Sequence, residues 1–181
     1  MIHVIVADDQ ALIRGALSAL IDLEDDMRVV AQAADGREAI AAVEAYTAEN
    51  SRGDQASKAA STLVVIMDVE MPVIDGISAA AALKERGANA RVLMVTTFGR
   101  PGYVQRALDA GAVGFIVKDA PAEQLLEAIR RTSQGLRTVD PALAVDALTK
   151  GQSPLSAREV EVLRAFESGG TVEDVASELM L

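Results

Sequence analysis

The chain has 181 residues, 50% of them apolar, and a net charge of −10 from 17 basic and 27 acidic side chains. That length supplies one full domain and part of another, and the acidic balance argues against a broad nucleic-acid surface while leaving room for a small basic patch. The absence of cysteine excludes disulfides, thiolate metal sites and thiol nucleophiles, and no apolar run approaches the roughly 20 residues that span a bilayer, so with an N-terminus that opens on a strand pattern a cytoplasmic protein is expected.

Ile2-His3-Val4-Ile5-Val6-Ala7 reads as a first strand that runs into Asp8-Asp9. Leu12, Ile13, Ala16, Leu17, Leu20 and Ile21 then form an apolar stripe at helical spacing. Arg28 to Ala33 reads as a second strand and Gly36 to Tyr46 as a second helix, with Ala39, Ile40 and Val43 inward. The stretch from Ala48 to Thr62 is rich in Ala, Ser and polar residues and is long for a connection; it carries no chemistry and is expected to be disordered, on the side opposite the acids.

Leu63-Val64-Val65-Ile66-Met67 is a continuous apolar run that ends in Asp68. Such a run is the mark of a strand buried on both faces of a parallel sheet. Asp75-Gly76 opens a third helix that Gly87 ends. Arg91 to Val95 is a fourth strand followed by Thr96-Thr97, and Pro101 sits at the first turn of a helix that runs to Gly111. Val113 to Val117 is a fifth strand followed by Lys118-Asp119, and Pro121 opens a fifth helix with Leu125, Leu126 and Ile129 inward.

Alternating strands and helices with short connections predict an α/β fold, a parallel sheet covered on both faces by right-handed crossovers. Ligands of such sheets bind outside the carboxyl ends of the strands. Asp8, Asp9, Asp68, Thr96 and Lys118 all fall there. Three carboxylates close together repel, and a hard divalent cation such as Mg2+ resolves the repulsion.

After Gly135 the pattern stops. Residues 135–152 read as a linker. Ser156 and Glu159 form a capping-box signature, and two short amphipathic helices flank Gly169-Gly170, the opening of a helix-turn-helix. Between Ser153 and Leu181 only Arg158 and Arg164 oppose Glu159, Glu161, Glu167, Glu173, Asp174 and Glu178, so this fragment offers little to DNA phosphates. It is expected to be disordered or docked on the first domain.

Taken together, Asp8-Asp9, Asp68 with Met71-Pro72 and Asp75-Gly76 behind it, Thr96 and Lys118 resemble the receiver domain of a two-component response regulator over residues 1–134, and the Asp68-to-Thr96 and Thr96-to-Lys118 intervals agree. Residues 153–181 are similar to the front half of a LuxR/NarL-type helix-turn-helix, in Leu155-Ser156, Arg158-Glu159 and Val175-Ala176. Leu23-Glu24-Asp25-Asp26 and Thr96 to Tyr103 further resemble a subgroup of bacterial desaturase regulators that control membrane-lipid fluidity.

The resemblance implies a flavodoxin-like, doubly wound sheet of five parallel strands in the order 2-1-3-4-5, followed by an incomplete all-α helix-turn-helix. It implies that Asp68 accepts a phosphoryl group from a sensor histidine kinase. Asp9 would bind Mg2+ directly and Asp8 partly through water, with Asp68 and the Val69 carbonyl as further ligands. Thr96 and Lys118 would each meet a phosphoryl oxygen, and Phe115 would be the switch aromatic that responds to Thr96. Glu70 would tune the phosphoryl lifetime. Phosphorylation would drive homodimerisation through the first, fourth or fifth helix, and the full-length protein would bind promoter DNA and control transcription.

Two other readings stay open on the residues alone. One is a receiver-only adapter acting through protein contacts. The other is a phosphatase of the haloacid dehalogenase type, whose Asp-x-Asp-x-Thr pattern the chain does not match at Asp68-Val69-Glu70-Met71-Pro72. A nucleotide-binding fold is disfavoured because no glycine-rich loop comes after the first strand.

Overall fold

The computed structural model describes residues 1–51, 61–97 and 102–139. The strands are β1 (Ile2–Ala7), β2 (Met27–Ala33), β3 (Thr62–Asp68), β4 (Arg91–Thr96), β5 (Gly114–Val117) and β6 (Thr138–Val139). The helices are α1 (Ala11–Asp22), α2 (Gly36–Ser51), α3 (Gly76–Glu85), α4 (Tyr103–Asp109) and α5 (Ala122–Ser133). All strand pairs are parallel, in the order β2-β1-β3-β4-β5-β6. The expected order is therefore present, with one strand more than the five expected.

The extra strand comes from the stretch assigned to the linker. Thr138 and Val139 pair with Gly114 and Phe115. Their approach depends on Gly114, where a Cβ would lie 2.8 Å from the Thr138 carbonyl oxygen and 2.8 Å from Leu93 Cδ1. Two residues are too few for a periodic signal, and the missing side chain that admits them lies on another strand.

β3 is buried from Leu63 to Asp68, as its unbroken apolar run requires. Alternate residues of the central strands feed two cores. Val65, Met67, Val92, Met94 and Phe115 face α2, α3 and α4, meeting Val43, Leu83 and Ala107. Val64, Ile66, Leu93, Val95 and Ile116 face α1 and α5, meeting Ile21, Leu125 and Ile129. Burying each large aliphatic side chain contributes about 1.5–3 kcal/mol, which makes the sheet the rigid frame of the domain.

Several local expectations shift. The stripe on α1 is only half covered: Ile21 is buried and Leu17 and Leu20 pack partly, but Leu12 is 86% exposed and Ala16 is exposed. Ser18, with its hydroxyl bonded to the Arg14 carbonyl at 2.8 Å, takes a buried place instead. α2 runs on to Ser51, so the first part of the stretch expected to be disordered is helix, and residues 52–60 lie outside the described residues. Pro121 stands at the N-cap of α5, one residue ahead of the helical position expected for it. Pro101 and everything after Val139, including the whole helix-turn-helix fragment, also lie outside the described residues. His3, read as structural, has Nδ1 2.6 Å from the Tyr46 hydroxyl, and its pKa is lowered by burial and by the nearby N-terminus.

Candidate functional site

The sheet brings β1, β3 and β5 to a common carboxyl edge. Ala7 pairs with Met67, so Asp8 and Asp68 come next, at the same level on adjacent strands. Asp8 and Asp68 are buried and Asp9 is exposed. One carboxylate oxygen from each of Asp8, Asp9 and Asp68 falls within 4.8 Å of the others. Three hard oxygen donors at that spacing, one of them open to solvent, suit Mg2+, which keeps several of its waters.

Lys118 comes directly after β5 and reaches back across two strand positions to Asp68 and three to Asp8. Its side chain is 7% exposed, with Nζ 2.6 Å from Asp8 Oδ2 and 2.8 Å from Asp68 Oδ2. Its backbone N–H donates to the Thr96 carbonyl at 2.7 Å, which ties the end of β5 to the end of β4.

The electrostatics reflect two buried acids for one buried cation. Burial pushes the Asp68 carboxyl above the usual carboxylate range, the Asp8 charge adds to this, and the Lys118 hydrogen bond only partly offsets it. Burial alone would lower the Lys118 pKa, but its bonds to Asp68 and Asp8 outweigh that and raise it. Both shifts hold protons at a site with excess negative charge, the condition in which a further cation is favoured.

The loop after Asp68 folds back tightly. The Gly76 N–H donates to the Val69 carbonyl at 3.0 Å, and Asp75 caps α3 by accepting from the Ser78 N–H at 2.8 Å. A Cβ on Gly76 would overlap the Asp68 carbonyl oxygen, so only glycine lets α3 start this close to the acid. The Val69 carbonyl, expected as a metal ligand, is thus already accepting one hydrogen bond and has one lone pair left. Val73 adopts φ 67, a left-handed conformation that is costly for a β-branched residue.

Thr96 ends β4 one residue beyond Val95, the partner of Asp68, and is 2% exposed. By alternation it shares a sheet face with Val92 and Met94, the face that holds Phe115. Phe115 is fully buried beside Met94. Glu70 is exposed and accepts a 3.1 Å hydrogen bond from the Tyr103 hydroxyl on α4; a cleft of about 440 Å³ lies there, lined by Val69, Glu70, Met71, Asp75, Ile77, Tyr103 and Arg106.

The expected residues Asp8, Asp9, Asp68 and Lys118 meet at one site, and Thr96 joins it through the backbone. Arg14 is an addition the sequence reading missed: its Nη1 donates to the Asp8 carbonyl at 2.6 Å. A signal for it existed in the basic residue placed one turn into the helix just after the paired acids.

Known proteins resemble this chain over most or all of its length. The response regulator receiver domain family matches residues 4–130. An uncharacterized transcriptional regulatory protein YvfU of Bacillus subtilis (strain 168) is 39% identical over this whole chain and 83% of its own length. The transcriptional regulatory protein DesR of the same organism is 38% identical, over the whole chain and 82% of its own length. The crystal structure of the response regulator ChrA of a heme-sensing two-component system superposes with a TM-score of 0.60 at 32% identity, covering 99% of this chain and 81% of that one. The chain belongs to the response regulator receiver domain family, and YvfU and DesR, which it matches over its full length, are transcriptional regulatory proteins.

Proposed function

We propose that Asp68 is the phosphoacceptor of this response regulator and that a sensor histidine kinase is the donor. The observation that carries the reading is the buried Asp68 carboxylate at the sheet edge, 2.8 Å from a buried Lys118 and grouped with Asp8 and Asp9. A carboxylate is a competent nucleophile in covalent catalysis. One Asp68 oxygen attacks phosphorus, an O–P bond forms, the P–N bond to the kinase imidazole breaks, and the electron pair leaves with that nitrogen. Phosphoryl transfer asks the protein for positioning and charge neutralisation. Lys118 supplies both on one side, and the Thr96 hydroxyl would donate to another phosphoryl oxygen. Asp8, Asp9 and Asp68 would hold Mg2+, which when bound neutralises charge on the phosphoryl oxygens.

Phosphorylation would draw Thr96 toward the new oxygens and let Phe115 shift on the same face of the sheet, a change of packing driven by added charge. The output would be dimerisation and transcriptional control. An exposed apolar stripe on α1, formed by Leu12, Ala16 and Ala19 and continued by Leu23 at its C-cap, supports that helix as part of a docking face. The transcriptional regulatory role named for YvfU and DesR supports that output. The pairing of β6 supports a receiver unit that extends to residue 139, with the DNA-reading part beyond it. Among the described residues no helix is long and apolar enough to cross a membrane, and the cytoplasm, where sensor kinases transfer phosphate, is the proposed location. The test is phosphotransfer from candidate kinases: label on the wild type should be acid-stable and hydroxylamine-labile. Label that persists undiminished on Asp68→Asn would remove the reading.

A further inference from the structure

We propose that Arg14 is a positioning residue for the Mg2+ site, acting through the peptide that joins Asp8 to Asp9. The inference rests on the proposed metal reading of the acid cluster. Asp8 is held on every side. Its N–H donates to the Ala33 carbonyl at 3.1 Å, Oδ1 accepts from the Gln10 N–H at 2.9 Å, and Oδ2 meets Lys118 at 2.6 Å. Its carbonyl accepts from Arg14 Nη1 at 2.6 Å. Asp9 is the opposite case: it is exposed, and among the described residues no hydrogen bond or ion pair holds its carboxylate.

The Asp8 carbonyl lies in the same rigid plane as the Asp9 N–H. Fixing that oxygen fixes the plane, and the plane sets the direction in which Asp9 leaves the turn. Besides the Gln10 N–H bond to Asp8, the start of α1 adds no side-chain cap from Gln10 and no acid in its first turn. Arg14 itself is anchored: its N–H donates to the Gln10 carbonyl at 2.9 Å, and its carbonyl accepts from the buried Ser18 hydroxyl. Its guanidinium therefore reaches back from the first full turn of the helix to the loop that carries the acids. An outer partner that orients a metal ligand in this way is typically worth 10–100-fold in affinity.

The sign of the effect separates positioning from bare charge. A cation near a metal site repels the metal, so by charge alone removing Arg14 would tighten Mg2+ binding. Positioning predicts the reverse. Calorimetric titration of the whole chain with MgCl2 should show Mg2+ binding to the wild type, and about tenfold weaker binding to Arg14→Met and Arg14→Gln. Arg14→Lys, which keeps a charged donor, should recover most of the loss. Circular dichroism confirms that each variant titrated is folded, and the glutamine variant, a good helix former, decides the matter if the methionine variant fails to fold. A folded neutral variant that binds Mg2+ as tightly as the wild type, or tighter, overturns the positioning role while the metal site stands. A wild type that takes up no Mg2+ overturns the metal reading, and the inference falls with it.

Discussion

Lys118 with Asp8 and Asp68, and Arg130 with Glu24 and Asp26, are built from the same parts, one cation and two carboxylates. The first set lies under the sheet edge with side chains 7%, 2% and 6% exposed. The second joins α5 to the turn between α1 and β2, with side chains 33%, 31% and 49% exposed. Arg130 makes a two-pronged contact with Asp26, at 2.9 Å through both Nε and Nη2, and reaches Glu24 at 2.6 Å. In the exposed set the acid gains: the Arg130 hydrogen bond holds Asp26 below its ordinary pKa, and the Arg130 pKa is raised in turn by Asp26 and Glu24. In the buried set desolvation wins and Asp68 is pushed up. Water is what decides whether a shared cation satisfies its acids. A surface triad is a tie between two elements, whereas a buried one leaves charge unsatisfied and available for chemistry.

The comparison can be broken by removing its members. The largest effect belongs to Asp68→Asn, which should abolish phosphoryl label, read by transfer from a cognate kinase. Lys118→Met comes next. Deleting one partner of a buried ion pair typically costs about 3–5 kcal/mol, and the metal-free protein should lose stability of that order in urea unfolding, with Mg2+ restoring part of it.

A third test uses the sign of the titrations. The folded pKa of Asp68 is raised, so its favourable contribution is complete below the unfolded value of 3.8 and is lost as pH rises through the folded value. The folded pKa of Asp26 is depressed, so its contribution is present above 3.8 and is lost as pH falls through the folded value. Melting temperatures measured in chelator from neutral pH into the acid range should therefore diverge. Asp68→Asn should melt above the wild type at neutral pH, and Arg130→Ala below it, with both differences shrinking in acid. Two differences of the same sign would dissolve the contrast. The smallest effect is the Arg130→Ala cost itself, less than about 1 kcal/mol at neutral pH and smaller still in high salt.

The sequence was most legible where a general rule of sheets applied. Asp8, Asp9, Asp68 and Lys118 could be assembled because each stands just past an apolar run, and parallel strands deliver their last residues to one edge. Arg14 escaped notice because its place one turn after the paired acids is a weak signal: its target is a backbone carbonyl, and an arginine on a helix reads as a solvated one. The stripe on α1 was read from its spacing, but spacing does not say which turns a neighbour covers, and Leu12 is left exposed to solvent. β6 was hidden twice, by its two-residue length and by a dependence on Gly114 of another strand. The hydrogen bond at the Val69 carbonyl is of the same kind, since it depends on how closely Gly76 approaches Asp68.

The short sixth strand also sets how far the outer edge of the described sheet lies from the acid. Val139 is in register with Phe115, which aligns with Met94 and then Met67, the residue before Asp68. Three interstrand spacings of about 4.8 Å put β6 roughly 14 Å from the β3 backbone beside the acid. Screening at cellular salt acts over about 8 Å in solvent, so outside the sheet the field of a phosphoryl group on Asp68 would reach β6 much reduced. A sideways step of β5, by contrast, would pass directly along the peptide hydrogen bonds it shares with its outer neighbour. β6 is better placed to feel a mechanical tug than a distant charge.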